Sequence, residues 1–308
     1  MHVSLDSIVL PEEIDSLGHM NVRYYMARME QANRALLQQL DVIEPAQPAL
    51  LRRTDTYTRF RKEQFVDAAL STSAQLLDVG EGGMRSYVEI SNATSGDVAA
   101  TFIVTTALMD RDSRQHLPFQ VHGELQQTGE VPAFAQPRSL NLSSVNTQVS
   151  LTELDACIPE VEGGGMMSGK RAATIEAEDV DAAGWLADEV ELMFLPFAKM
   201  AKQNNAEQGP PVFHTADGKR VGWAVMETRT LLYGQPRLHD ELAYFSADLR
   251  LEHKSRLSRR WCFNRVTEQL LGISDTVGVC IDLDARRAVA WPDELRQQIE
   301  AHQQPQLA

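Results

Sequence analysis

The segment Asp15-Ser16-Leu17-Gly18 returns as Asp181-Ala182-Ala183-Gly184, an offset of 166 residues. Each copy follows a short acidic approach, Glu12-Glu13-Ile14 or Glu178-Asp179-Val180, and precedes a long apolar segment. The same offset carries Ile8-Val9 onto Thr174-Ile175, runs whose apolar and β-branched residues read as short strands. A repeat of this length means two similar structural units in one chain, and 308 residues fits about two domains.

After the first turn, Tyr25, Met29, Ala32, Leu36 and Leu40 recur at three- and four-residue spacing, which predicts an amphipathic helix over Val22–Leu40. Asn21 suits its N-cap. After the second turn, Asp188 with Glu191 forms a capping-box pattern, and Met193, Phe197 and Met200 continue an apolar face. Pro196 lies inside that helix and is expected to kink or shorten it. Strand-like runs follow at Arg53–Phe65, Ala69–Val79, Met84–Asn92 and Val98–Met109, then at Gly222–Tyr233, Glu241–Leu251, Ser258–Val266 and Gly278–Leu283. Leu108-Met109-Asp110-Arg111-Asp112 is echoed by Cys280-Ile281-Asp282-Leu283-Asp284. Each unit therefore reads as strand, helix, then antiparallel strands, an α+β architecture in which one helix lies on one sheet. The expected boundaries are 1–116 for the motif-bearing unit and 166–300 for the degenerate one. Residues 117–165, with Pro118, Pro132, Pro137, Pro159 and Gly163-Gly164-Gly165, read as a linker, and 301–308 as a frayed polar tail.

No apolar run is long enough for a membrane span, and Met1–Leu10 lacks a signal-peptide pattern. Cys157, Cys262 and Cys280 have no metal-ligand spacing; the expectation is a reducing cytoplasm, no disulfide framework, no metal and no cofactor. A net charge of −14 argues against nucleic acid as a partner, although a local basic patch could still hold a phosphate-bearing ligand. The Lys254-Ser255-Arg256-Leu257-Ser258-Arg259-Arg260 run is one such patch, read otherwise as a solvated hairpin tip. Arg52, Arg53, Arg59 and Arg61-Lys62 form another. Gly164 to Lys170 nearly spells a nucleotide-binding loop, but Arg171 stands where Ser or Thr is needed, and a strand is expected to follow instead of a helix.

An acid at the mouth of a helix sits beside unpaired backbone N–H groups that can hold an anion. A carboxylate next to an oxyanion site is a workable way to open an acyl bond. The Asp15-Ser16-Leu17-Gly18-His19-Met20-Asn21-Val22-Arg23-Tyr24-Tyr25 segment resembles the signature of the 4-hydroxybenzoyl-CoA-thioesterase-like family. Asp15, Gly18, His19, Asn21 and Tyr25 match in register, and Val22 replaces a usual second Asn. Strand, turn, central helix and curved antiparallel sheet is the hotdog arrangement of that family, so two linked copies resemble a double hotdog.

The resemblance implies acyl-CoA hydrolysis with Asp15 as nucleophile or general base. Backbone amides near Gly18 and His19 are the oxyanion candidates. Asn21, Tyr25, Trp185, Arg59, Lys254 and Arg256 are candidates for binding substrate; Tyr25 is read first as core and Asn21 first as a cap. In the second copy Trp185 replaces His19 and Ala187 replaces Asn21, so Asp181 reads as relic structure and Trp185 as a lining of the acyl pocket. Alternatives are an acyl carrier protein as the donor of the acyl group, or a non-catalytic acyl-CoA-binding protein. The oligomeric state, monomer or homo-oligomer, is left open.

Overall fold

The computed structural model describes residues 2–39, 49–80, 83–110, 112, 116–118, 129–140, 147–160, 168–187, 190–203 and 212–308. It divides into two compact units, Met1–Arg138 and Ser139–Ala308.

In the first unit, β1 (His2–Ile8) leads through the Asp15 turn into α1 (Val22–Gln39). Four long strands follow: β2 (Ala49–Phe60), β3 (Ala69–Gly80), β4 (Gly83–Asn92) and β5 (Val98–Asp110). The antiparallel order is β1-β3-β4-β5-β2, and a short β6 (His116–Leu117) adds to β5. The apolar stripe of α1 faces β1, β3 and β4: Met29, Ala32 and Leu36 are fully buried with Leu70, Val88, Ile90 and Phe102. Each such large side chain contributes about 1.5–3 kcal/mol by burial. The helix starts where expected because Asn21 Oδ1 accepts the Arg23 N–H at 3.0 Å, a side-chain cap for an otherwise unpaired donor.

The second unit contains α2 (Leu151–Cys157), β7 (Gly169–Thr174), α3 (Leu195–Gln203), a short β8 (Phe213–His214), and then β9 (Arg220–Leu232). It continues with β10 (Glu241–Leu251), β11 (Ser255–Asn264), β12 (Leu270–Asp282), a short β13 (Arg287–Ala288) and α4 (Asp293–Ala301). The main order, β7-β10-β11-β12-β9, repeats that of the first unit strand for strand. Leu192, Met193 and Leu195 cover one face through Leu242, Tyr244 and Cys262. On the other face Leu154 and Ile158 bury Phe245, Trp261 and Phe263. Trp291, Leu295 and Ile299 cover Val221 and Cys280. This is a hotdog-type fold, a large antiparallel sheet with few helices.

The structure corrects several sequence expectations. The described helix after the second turn is nine residues long, and Pro196 is its second residue, where a missing N–H costs no helical hydrogen bond. Asp188 of the expected capping box lies outside the described residues. The last strand begins at Leu270, eight residues before the expected Gly278. Within the expected linker, 151–157 is helical, capped by Ser150 Oγ on the Glu153 N–H at 3.2 Å; Gly163 to Gly165 lie outside the described residues. The expected frayed tail is tied down: Gln304 N–H donates to Asp248 O at 2.8 Å and Gln303 Nε2 to Leu249 O at 3.1 Å.

Candidate active site

The two Asp turns have the same backbone. Asp15 N–H donates to His19 O at 3.0 Å and Gly18 N–H to Asp15 O at 2.9 Å; Asp181 N–H donates to Trp185 O at 2.8 Å and Gly184 N–H to Asp181 O at 3.0 Å. Gly18 and Gly184 sit at φ of 79° and 77°, the left-handed conformation that glycine adopts without strain. One carboxylate oxygen in each turn accepts the N–H two residues on, Leu17 or Ala183, at 2.9 Å. A side-chain oxygen at the first position and glycine at the fourth are therefore requirements of the turn itself in both copies.

The side chains around the two carboxylates differ. Asp15 Oδ2 accepts from Asn21 Nδ2 at 3.2 Å, so Asn21 caps α1 with its oxygen and holds the acid with its nitrogen. His19 Nδ1 lies 3.9 Å from Asp15 Oδ1, and its Nε2 lies 3.5 Å from Glu63 Oε1. The Asp15 side chain is 4% exposed. Burial raises its pKa above the ordinary carboxylate value, opposed by His19, the Leu17 N–H, the Asn21 amide and the His19 N–H. An acid, an imidazole and a second acid thus line one place at the start of α1, whose dipole favours negative charge.

Glu63 was not singled out from sequence. The segment carrying it is brought to the turn by Met20 N–H donating to Gln64 O at 2.8 Å, and the second unit repeats that bond as Leu186 N–H to Pro236 O at 3.1 Å. The repeat therefore places Gln235 at the Glu63 position. Together with Trp185 for His19 and Ala187 for Asn21, it leaves the second turn without the polar set of the first. The signal was present in the repeat but needed the strand register to be read.

The other sequence candidates are distributed differently. The Gly18 N–H closes the turn, and the His19 N–H bonds the Asp15 carboxylate, so either would have to leave its bond to serve an oxyanion. Tyr25 is core: 4% exposed, edge-on to Phe60 at 5.5 Å, with its hydroxyl donating to Lys62 O at 3.4 Å. Trp185 is buried under the Arg237 guanidinium, 3.8 Å from its ring centroid. Arg59 donates to the Phe134 and Gln136 carbonyls and so ties down the 133–136 segment.

Of the expected hairpin tip at 254–260, Lys254 lies in the turn between β10 and β11, and the rest is strand β11. Arg256 is buried, 3.1 Å over the Trp223 ring and 3.5 Å from Asp248 Oδ2; Arg259 is buried and bidentate to Asp275 at 2.7 and 2.9 Å. Lys254 is exposed and donates to Ala288 O at 3.2 Å. Arg256 and Arg259 are turned into the unit against Asp248 and Asp275, so they form no open phosphate-binding patch. The decoy glycine-rich segment leads into β7, as expected, and Gly164 to Met167 lie outside the described residues. Among the described residues, no group of three His, Cys, Asp or Glu is arranged to hold a metal. Among them too, no helix is long and apolar enough to cross a membrane.

No curated protein matches the sequence significantly. Over the whole chain the fold is similar to two solved structures. One is an acyl-ACP thioesterase from Bacteroides thetaiotaomicron, 9% identical with a TM-score of 0.62, covering 90% of this chain and 97% of that one. The other is the 12:0-ACP thioesterase from Umbellularia californica, 8% identical with a TM-score of 0.61, covering 91% of this chain and 94% of that one. Identities this low establish the fold alone. Residues 9–136, which include the Asp15 turn and Glu63, match the thioesterase-like superfamily. That match lies in the unit that holds the Asp15 turn, and it supports thioester hydrolase as the enzyme class.

Proposed function

We propose that the chain is a double hotdog that hydrolyses an acyl thioester at the Asp15 site, the second turn serving as scaffold. The observation that carries this reading is the asymmetry between matching turns: Asp15 has Asn21, His19 and Glu63 around it, where the repeat offers Ala187, Trp185 and Gln235. In its ionised form Asp15 takes a proton from water as the water oxygen bonds to the thioester carbon, or attacks that carbon itself to give an anhydride that water then opens, releasing the acid and a proton. The carbon–sulfur bond then breaks and the thiolate leaves, taking up a proton through His19. Thiolates leave readily, so one carboxylate and a few oriented dipoles suffice. Asn21 holds the carboxylate in place, and Glu63 orients the imidazole.

Coenzyme A is the first reading for the thiol, following the motif resemblance to the 4-hydroxybenzoyl-CoA-thioesterase-like family. Acyl carrier protein is the second, favoured by the two whole-length structures, both of which are named as ACP thioesterases. Thiol release from the same acyl group on coenzyme A and on acyl carrier protein decides between them. Release from neither, over short, long, aromatic and cationic acyl groups, would mean a non-catalytic acyl-binding protein.

A further inference from the structure

The segment that carries Glu63 is held in a way that the repeat does not copy. Lys62 O accepts from the Tyr25 hydroxyl at 3.4 Å and from Gln64 Nε2 at 3.3 Å. The Gln64 backbone N–H bonds the same Tyr25 hydroxyl, and Gln64 Oε1 accepts from Asn92 Nδ2 at 2.9 Å. Tyr25 is 4% and Gln64 2% exposed, so these bonds form out of water, where an unmade one is costly. Glu63 lies between the two clamped residues, with its carboxylate 3.5 Å from His19 Nε2.

The second unit shows which of these contacts the turn itself needs. Leu70 pairs with Asn92 in the first sheet and Leu242 with Asn264 in the second, so the two asparagines match. Both cap the turn that follows: Asn92 Oδ1 accepts from the Thr94 and Ser95 N–H groups, Asn264 Oδ1 from those of Val266 and Thr267, all at 3.0 Å. Yet Pro236, which has no side-chain amide, stands for Gln64, and Glu191 stands 166 residues after Tyr25. The turn still docks, through the Leu186 N–H on Pro236 O. Docking therefore needs neither a tyrosine hydroxyl nor a glutamine amide. Both occur in the unit that has an acid at Glu63, and both are absent where Gln235 replaces it.

We propose that Tyr25 and Gln64 are positioning residues that act through Glu63. Their polar groups fix the Lys62 carbonyl, which sets the backbone of 62–64 and aims the Glu63 carboxylate at the His19 ring. On a looser segment the carboxylate would sample other orientations and meet the imidazole only part of the time. A misplacement of about 1 Å is enough to slow a reaction about 100-fold. The catalytic consequence rests on the role proposed above for His19 beside Asp15; the positioning itself does not.

The test combines Y25F and Q64M, which nearly keep side-chain volume, with E63A in double-mutant cycles on the full chain. Two quantities are read: thiol release from the best acyl thioester of a panel, and the His19 ring-nitrogen resonances by NMR. Y25F and Q64M are each expected to lower kcat about tenfold with KM within about twofold. Each should also move the His19 signals in the direction that E63A moves them. In the E63A background neither should slow release by more than about a further twofold or move the ring signals again, because no carboxylate is left to aim. Full slowing in that background, or unmoved His19 signals in the single variants, would mean that the contacts serve only the fold and would overturn the proposal. If Q64M does not fold, Y25F, which lacks a single oxygen, carries the test; failure of both to fold would also overturn it. A wild type without thiol release, whose His19 signals Y25F still moves as E63A does, would refute the proposed function and uphold the positioning. Slow release by D15N with wild-type release by Y25F and Q64M would do the reverse.

Discussion

At the level of single residues, burial places Asp15 in an environment that favours its protonated form, while the proposed chemistry needs it ionised. A folded-state carboxyl pKa above the unfolded one means that the native state binds more protons between the two values, so stability is lost as pH rises through that window. D15N removes this cost. It is expected to unfold at a higher temperature than wild type at pH 7, with the difference closing as pH falls to the ordinary carboxylate range. A lower Tm for D15N at pH 7 would show that the acid serves the fold. The acidic limb of the pH–rate profile should correspondingly lie above the range of an ordinary carboxylate. H19A should slow turnover by about 100-fold if the imidazole carries the proton, and E63Q by less, because its amide keeps a contact to the ring. Equal rates for H19A and wild type would remove His19 from the chemistry.

The element that positions this turn is α1, and Arg28 anchors it. Its guanidinium donates to Glu13 at 2.8 and 3.1 Å, to Ser7 Oγ at 2.9 Å, to Ile8 O at 3.0 Å and to Tyr24 O at 3.2 Å, joining α1 to the end of β1 and the approach to Asp15. Removing one partner of a buried pair leaves the other charge uncompensated. E13A should therefore cost about 3–5 kcal/mol in a denaturant titration, far more than a surface ion pair; a loss under about 1 kcal/mol would refute the anchoring role.

In the sequence Glu13 drew notice only as part of an acidic approach, and Arg28 drew none. The sequence did reveal α1, through its apolar spacing, and most strands, through turns such as Ser95-Gly96-Asp97. It failed where polar residues are buried by distant partners. Ser274-Asp275-Thr276 interrupted the apolar pattern of β12, and the basic run from Lys254 made the start of β11 look like a solvated tip. Arg259 faces Asp275 directly across the ladder, a pairing that only the register supplies. Asp15, Gly18, His19 and Asn21 were legible because they fall within one local turn. Glu63 was not, since it joins them through a bond between segments far apart in sequence.

Over the whole molecule, the chain carries one strand order twice and one turn twice, with Asn21, His19 and Glu63 around the acid in the first copy and Ala187, Trp185 and Gln235 at those positions in the second. Even the strand ends repeat: Asp112 N–H donates to Asp110 Oδ1 at 3.1 Å, and Asp284 N–H donates to Asp282 Oδ1 at 3.0 Å. Conserved backbone with divergent side chains is what a scaffold copy requires, since the turn needs a side-chain oxygen and its glycine whether or not a reaction takes place there. The most direct measurement is the rate of thiol release by wild type, D15N and D181N, side by side, on the best acyl thioester of a panel. D15N should lose about 100-fold or more, and D181N should stay within about threefold of wild type. Near-wild-type release by D15N, or an equal collapse of both variants, would contradict a single site at Asp15.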